Sequence, residues 1–184
     1  MGTRGFVGFF VNGELKATYN HSDSYPDGLG LDVLRWLRKA HEAGSRRLAG
    51  NLRAVDSDSK PTADDIERLT PYANTRVSTG QLDEWYVLLR GTQGNPAAML
   101  DAGVIEDAGD WPAQGEYGYV VDFDGRQFEA YEGYQKEPHD KGRFAHLTHP
   151  REGRYPIALK ASWSFDSLPT DDVFIDAFAD EDES

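Results

Sequence analysis

Five residues near the start of the chain have side chains suited to chemistry: Arg4, Tyr19, His21, Asp23 and Tyr25. His21 and Asp23 could form an acid–base pair, because imidazole and carboxylate groups exchange protons in the physiological pH range. Arg4 suits a carboxylate or phosphate group, and Tyr19 or Tyr25 could donate a hydrogen bond to a ligand. These five residues define a candidate ligand pocket.

A purely architectural interpretation of the same stretch remains open. Asp23 and Ser24 are typical turn residues, and Pro26 followed by Asp27 suits the start of a helix. Arg4 would then pair with Asp23 and hold the end of the preceding hairpin. On this interpretation the pocket residues stabilise the fold and bind nothing.

The sequence carries no signature of a known catalytic class. It has no G-x-S-x-G elbow, P-loop, H-E-x-x-H or Rossmann glycine pattern. A nucleophile is missing near the pocket unless Thr3 or Ser22 serves. Gly28-Leu29-Gly30 precedes a helix, so its backbone N–H groups could face an anion. We expect neither a metal nor a cofactor.

A hairpin must position these residues. Asn12-Gly13 separates two apolar runs, residues 6–11 and 15–19, and is the dipeptide best suited to a two-residue type I′ turn. Counting outward from this turn pairs Phe10 with Leu15 and Arg4 with His21. Paired residues share a face of the sheet, so an apolar face ends at Arg4 and His21.

Apolar spacing and capping residues predict helices through the first half of the chain. The clearest covers residues 31–43 and ends at Gly44. Three more are predicted over residues 63–69 with Thr62 as N-cap, over 81–90, and over 96–102 between Asn95 and Gly103.

The last third of the chain predicts strands. Residues 117–123 and 126–131 flank Asp124-Gly125, which predicts a second hairpin of the same turn type, with Val121 opposite Phe128. Residues 157–165 alternate apolar and polar side chains, which predicts a strand with one buried face. The fold class is therefore α+β, with two β-hairpins and further strands in antiparallel sheets packed with helices.

Composition predicts one domain over residues 1–166, followed by an acidic tail over 167–184. The formal charge of −13 argues against non-specific binding to nucleic acid, although no Lys or Arg follows Lys160, so acidity is concentrated at the C-terminus. The absence of cysteine fits a reducing compartment, and no apolar run is long enough to span a bilayer. We expect a cytoplasmic protein that does not bind membranes.

The tail could form a short capped helix with an acidic end. One interpretation is a helix that docks on its own domain. The other is a segment that binds a protein partner or imitates nucleic-acid phosphates, through Asp171, Asp172, Phe174, Asp176, Phe178, Asp180 and Glu181.

Residues 135–155 form a long connection without periodicity, rich in His, Lys and Arg. Three interpretations stay open because long loops are functional or mobile. His139, His146 and His149 could bind a metal, the cationic side chains could meet an anionic partner, or the loop could simply be exposed.

The opening Gly2-Thr3-Arg4-Gly5, its hairpin and the loop Asp23-Ser24-Tyr25-Pro26-x-Gly28-x-Gly30 resemble a group of small phage and bacterial proteins without an assigned reaction. Met1-Gly2-Thr3-Arg4, Asn20 and Asp23 are also distantly similar to N-terminal-nucleophile hydrolases. That resemblance implies a related fold. It does not imply the same catalysis, since Gly2 stands where those enzymes expose Cys, Ser or Thr.

We therefore expect a non-enzymatic, phage-type accessory protein that binds and modulates a host protein, with its acidic surface as the contact. The first alternative is a hydrolase or transferase that acts on an amide or a phosphorylated small molecule through Arg4, His21, Asp23 and Tyr25. The second is a protein that sequesters a nucleotide through the basic loop.

Overall fold

Two β-sheets organise the fold, and a computed structural model describes them within residues 2–179. The main sheet has five strands in the order β2-β1-β5-β6-β7, and the smaller one pairs β3 with β4. The strands are β1 (Gly5–Val11), β2 (Glu14–Asn20), β3 (Arg53–Val55), β4 (Val104–Glu106), β5 (Tyr117–Asp122), β6 (Gln127–Glu132) and β7 (Ala158–Ser164).

Seven α-helices accompany these strands in the described residues: α1 (Leu31–Lys39), α2 (Glu42–Asn51), α3 (Ala63–Leu69), α4 (Trp85–Leu88), α5 (Pro96–Ala102), α6 (Trp111–Gln114) and α7 (Asp171–Asp176). This mixture confirms the α+β class. No helix within residues 2–179 is long and apolar enough to cross a membrane.

The expected antiparallel sheet is in fact mixed. Both hairpins, β1–β2 and β5–β6, are antiparallel with the predicted registers, but β1 and β5 lie parallel at the centre of the sheet. The chain between them passes through most of the helices, and such a long crossover permits parallel pairing. Hairpin signals fix only neighbouring strands, so they could not give this orientation.

The first turn is as predicted and the second is not. Asn12 and Gly13 both have positive φ, at 54° and 77°. In the second hairpin the positive φ of 52° occurs at Arg126, outside Asp124-Gly125. The Asp122 carboxylate accepts the Gly125 N–H at 2.7 Å, which forms a longer loop while preserving the strand register.

The two hairpin tips are joined by one carboxylate. Asp124 accepts the backbone N–H groups of Asn12 at 3.0 Å and Gly13 at 2.8 Å, and it pairs with Arg46 at 2.8 Å. These contacts lower the pKa of Asp124, with the Gly13 N–H as the largest cause. Asp124, which the sequence predicts only as a turn residue, therefore links the loop of the second hairpin to the turn of the first.

Each face of the main sheet carries a core. The larger core lies under α1, α2, α5 and α7 and includes Phe9, Leu34 and Phe174. The opposite face is covered by the loop over residues 133–157, which places Phe144 against Phe6 with ring centroids 5.4 Å apart. The predicted apolar hairpin face is therefore buried by a segment that has no regular secondary structure of its own.

Strand β7 does not keep a single buried face. On β6, the consecutive residues Ala130 and Tyr131 pair with Ala161 and Leu159 of β7. Lys160 is therefore an extra residue in β7 and forms a bulge. Leu159 consequently packs in the loop-covered core, whereas Trp163 packs in the helix-covered core. A bulge reverses the alternation of side chains, and the sequence pattern alone did not reveal it.

Two predicted helices have different boundaries in the structure. The helix over residues 31–43 divides, because α1 ends at Lys39 and His41 then caps α2 through a 3.0 Å bond from the Gly44 N–H to its Nδ1. The predicted helix over 81–90 contains only α4, since the Ser78 hydroxyl donates to Glu84 at 2.6 Å and holds the preceding segment as a turn.

The other two helix predictions are confirmed. Thr62 and Asp65 form a capping box at the start of α3. Asn95 caps α5, and Gly103 ends it with a φ of 71°. These short helices, with α4, build a third core against β3 and β4 around Leu69, Trp85 and Val104.

Candidate functional site

Three of the five predicted pocket residues line one open cleft. Arg4, His21 and Tyr25 meet Glu116 and Tyr134 around a cavity of about 560 Å³ at the end of β1 and β2. We call it the opening cleft. Tyr25 is 47% exposed. The predicted register brings Arg4 and His21 together here because β1 and β2 pair in that register.

Tyr19 lies beside this cleft and contacts His21. A hydrogen bond of 2.9 Å joins the Tyr19 hydroxyl and His21 Nδ1, and the Tyr19 ring stacks on Trp111 with a centroid distance of 4.4 Å. Burial raises the pKa of Tyr19, while the nearby Arg4 guanidinium opposes that shift. Tyr19 is therefore a neutral hydrogen-bonding group at physiological pH.

Asp23 does not join the others. It adopts a positive φ of 57°, its side chain is exposed, and its backbone carbonyl accepts the Leu29 N–H at 2.9 Å. Within residues 2–179, its carboxylate forms no ion pair with Arg4 and no hydrogen bond with His21. Neither the proposed acid–base pair nor the proposed Arg4–Asp23 bridge is formed, because the turn directs Asp23 outward.

The glycine loop does not present its backbone donors to solvent. The N–H groups of Gly28 and Gly30 donate to the Tyr25 carbonyl, at 3.1 and 3.2 Å, and the Leu29 N–H donates to Asp23. The predicted anion contact at this loop is therefore wrong. Gly30 has a packing role instead, since a Cβ there would lie 2.8 Å from the Phe174 ring.

A second cluster of cationic side chains adjoins Arg4. His149, Arg151 and Arg154 from the long loop line a cavity of about 260 Å³ together with Arg4 and Trp111. We call this cavity the cationic cleft. It shares Arg4, Glu116 and Tyr134 with the opening cleft, so the two cavities form one groove.

Sequence reasoning missed this cluster as a site with Arg4. The basic character of residues 135–155 was visible, but no local pattern indicated that the loop returns to the N-terminal end of β1. Only pairing of distant strands produces that meeting, since β1 and β5 place Gly5 opposite Tyr117.

A partly buried ionic cluster holds the long loop on the sheet. The Arg143 guanidinium contacts Asp122 at 2.7 Å and Glu129 at 2.6 Å, and it lies 4.5 Å from the centroid of the Phe10 ring. Burial and the hydrogen bond to Glu129 raise the pKa of Tyr131, whose hydroxyl donates to that carboxylate. The loop is thereby anchored on the sheet at the Phe10 end of β1, which is the end away from Arg4.

The arginines of the cationic cleft differ from most others in the chain. Among the described residues, the side chains of Arg4, Arg151 and Arg154 form no ion pair and no hydrogen bond with protein. Six other arginines form ion pairs: Arg35, Arg38, Arg46, Arg53, Arg126 and Arg143. The cleft therefore concentrates positive charge, which Glu116 offsets only in part, on a strongly acidic protein.

A third cavity, of about 330 Å³, shares the lining residues Trp111 and Gln114 with the cationic cleft, so we count it as a further compartment of the groove. Glu106, Asp107 and Asp110 line it with Tyr19 and Tyr86. We call it the acidic cleft. Burial raises the pKa of Glu106 from an ordinary 4.5 to about 7, with a smaller contribution from Glu84.

Glu106 was also missed by sequence reasoning. It ends the short strand β4, where it pairs with Val55, and three residues of ordinary β pattern gave no signal of a site. A carboxyl group with a pKa near neutrality in a cleft is a recognised mark of a functional position.

The proposed partner-binding residues of the tail divide into two groups. Asp171 forms ion pairs with Arg35 at 2.7 Å and Arg38 at 2.6 Å, and Phe174 is fully buried. Phe178 packs on Phe174 and Tyr117. Asp172 and Asp176 are exposed, and Asp180 and Glu181 lie outside the described residues.

The three loop histidines lie in different surroundings. His139 Nε2 is 2.7 Å from the Pro156 carbonyl oxygen, His146 borders an apolar cavity with Leu147, and His149 lines the cationic cleft. Over residues 2–179, no group of three or more His, Asp or Glu side chains is arranged to hold a metal ion.

Comparisons of this chain with protein-family models, with curated proteins and with solved structures gave no match.

Proposed function

We propose that the protein is a non-enzymatic binding protein whose cationic cleft holds a phosphorylated small molecule. The observation that carries this proposal is that Arg4, Arg151 and Arg154 all line one cavity, while their side chains have no ion-pair or hydrogen-bond partner among the described residues. Guanidinium groups bind phosphate through paired hydrogen bonds, which suits them to this ligand class.

The charge distribution supports a specific site. On a chain with a formal charge of −13, anions are repelled from most of the surface. Glu116 is the carboxylate that lines the cationic cleft, and together with burial it raises the pKa of Tyr134. A phosphate group would neutralise the remaining excess of positive charge.

Binding is favoured over catalysis by the arrangement of the predicted catalytic residues. A hydrolase or transferase acting through Arg4, His21, Asp23 and Tyr25 needs these side chains to meet in one cleft, within reach of the same substrate. His21 is instead hydrogen-bonded to Tyr19, and Asp23 lies outside the opening cleft. The enzyme alternative therefore has less support than sequestration of the ligand.

Calorimetric titration with ribose 5-phosphate tests the proposal. We expect measurable binding that weakens as salt increases, because exposed charges are screened. Hydrogen bonds to charged groups contribute about 1.5–3 kcal/mol, so Arg151→Ala combined with Arg154→Ala should weaken binding at least about tenfold. The matched control is Arg76→Ala, an exposed loop arginine away from the cleft. Failure of the wild type to bind, or equal affinities in the two variants, would refute the proposal.

A second candidate function follows from the exposed side of α7. Asp172 and Asp176 flank Val173, which is 52% exposed although it is apolar. We propose that this small acidic face contacts a host protein with a basic surface in the cytoplasm, consistent with the resemblance to phage proteins. The face is independent of the groove, so both functions can coexist.

Point variants test this second function better than deletion. Removal of the tail would extract Phe174 from the core and unfold part of the domain. Asp172→Lys with Asp176→Lys should abolish capture of a specific host protein, whereas Asp64→Lys with Glu67→Lys, which reverses exposed charges on α3, should not. Equal capture by both double variants would contradict a role for α7.

A further inference from the structure

The groove has opposite charges at its two ends. The cationic cleft and the acidic cleft both use Trp111 and Gln114 as walls, so they are adjoining compartments. Arg151 and Arg154 line the cationic cleft, and Glu106 lines the acidic cleft. A ligand that spans the groove must therefore carry an anionic group at one end and hydrogen-bond donors at the other.

Aromatic side chains line the junction between these compartments. Tyr19 stacks on Trp111 with an interplanar angle of 28°, and Tyr86 lines the same compartment as both. The His21 ring contacts Tyr86 edge to face at 6.4 Å. Planar, apolar walls of this kind accommodate planar ring systems through stacking and edge contacts.

Glu106 is the acceptor at the acidic end. Its half-buried carboxylate forms no hydrogen bond or ion pair within the described part of the chain. The neighbouring Asp107 is occupied, since its Oδ1 accepts the Gly109 N–H at 2.8 Å and shapes the turn that carries Asp110. Glu106 is thus free to receive hydrogen bonds from a ligand, and its raised pKa is consistent with a carboxyl that lacks such donors in the free protein.

We propose that the ligand is a nucleoside monophosphate, with its phosphate in the cationic cleft and the amino-bearing edge of its base hydrogen-bonded to Glu106. The inference rests on the proposed function. That function concerns the phosphate group of the ligand, and the inference adds the base. Adenine, cytosine and guanine each have an exocyclic amino group on the Watson–Crick edge. A carboxylate can accept a hydrogen bond from that group.

The dimensions of the groove agree with this assignment. Cavities of about 260 and 330 Å³ that adjoin each other together fall within the range of small-molecule sites, about 300–1,000 Å³. Neither compartment alone offers both the cationic groups that bind a phosphate and a carboxylate that accepts hydrogen bonds from a base. A phosphate without a base therefore uses only half of the recognition surface.

The test compares AMP, CMP and GMP with ribose 5-phosphate, which shares the phosphate and sugar but lacks the base. In calorimetric titrations of the full chain, we expect at least one nucleotide to bind ten times more tightly than ribose 5-phosphate. Glu106→Ala, which removes the hydrogen-bond acceptor, should abolish that advantage and leave the affinity for ribose 5-phosphate unchanged. The matched control Glu67→Ala, at an exposed position on α3, should keep it.

The outcomes separate this inference from the proposed function. If the nucleotides and ribose 5-phosphate bind with equal affinity, the cationic cleft binds phosphate but the base assignment is refuted. If Glu106→Ala retains the nucleotide advantage, Glu106 does not contact the base and the inference fails. If none of the phosphate compounds binds, both proposals fail. Unchanged circular dichroism of each variant establishes that it is folded.

Discussion

Replacing Glu106 with glutamine should stabilise the protein, and the gain should depend on pH. The carboxyl group is half-buried on β4, and burial raises its pKa to about 7 from 4.5. A carboxyl whose folded-state pKa is raised holds its proton more tightly in the native protein than in the unfolded chain. Stability is consequently lost as pH rises from 4.5 to 7 and stays constant above that range.

The magnitude follows from the two pKa values. A pKa of about 7 in the folded state and 4.5 in the unfolded state corresponds to about 3 kcal/mol once the group is fully ionised. Between pH 5.5 and 8.5 about 2 kcal/mol of this cost develops. Because the side chain is partly exposed, solvent screening reduces the expected change to about 1 kcal/mol.

Urea unfolding of the wild type and Glu106→Gln at pH 5.5, 7 and 8.5 measures this effect. The difference between their free energies of unfolding should grow by about 1 kcal/mol in favour of the variant across the series. All other titrating groups cancel in this difference, and Glu67→Gln supplies a baseline. A difference that stays constant with pH would show that Glu106 is fully solvated and would refute the reasoning.

Two further substitutions test the contacts that hold the long loop and the tail on the main sheet. Arg143→Ala removes the ion-pair partner of two largely buried carboxylates, Asp122 and Glu129, so we expect a loss of about 3 kcal/mol in urea unfolding, the lower end for a buried pair; wild-type stability would contradict the anchoring role. Phe174→Ala should cost about 3–5 kcal/mol because its ring is fully buried, whereas the exposed neighbour Val173→Ala should change thermal stability by less than about 0.5 kcal/mol; similar losses in both would mean that α7 is not docked.

Local signals predicted much of the fold. The Asn12-Gly13 turn determined the register of β1 and β2, and with it the meeting of Arg4 and His21. Thr62, Asn95 and Gly103 marked helix ends correctly because caps depend on residues within one helical turn. Features governed by a few neighbouring residues were therefore readable from the sequence.

The candidate site was less predictable because distant segments assemble it. Arg4 meets Arg151 and Arg154 only after β1 pairs with β5 and the long loop covers the sheet. Glu106 acquires its unusual pKa from surroundings supplied by separate elements. Asp23, by contrast, was excluded by its own backbone conformation, since a positive φ directs its side chain away from the cleft.

The carboxylate of Asp124 has a consequence for folding kinetics. Asp124 contacts Asn12 and Gly13, which precede it in the sequence by 112 and 111 positions. The parallel pairing of β1 with β5 closes a loop of similar length. Closing such a loop is entropically costly, so the two local hairpins should form first and their docking should limit the folding rate. The Asp124 contacts form at the end of that docking. Their removal should therefore raise the unfolding rate more than it lowers the folding rate.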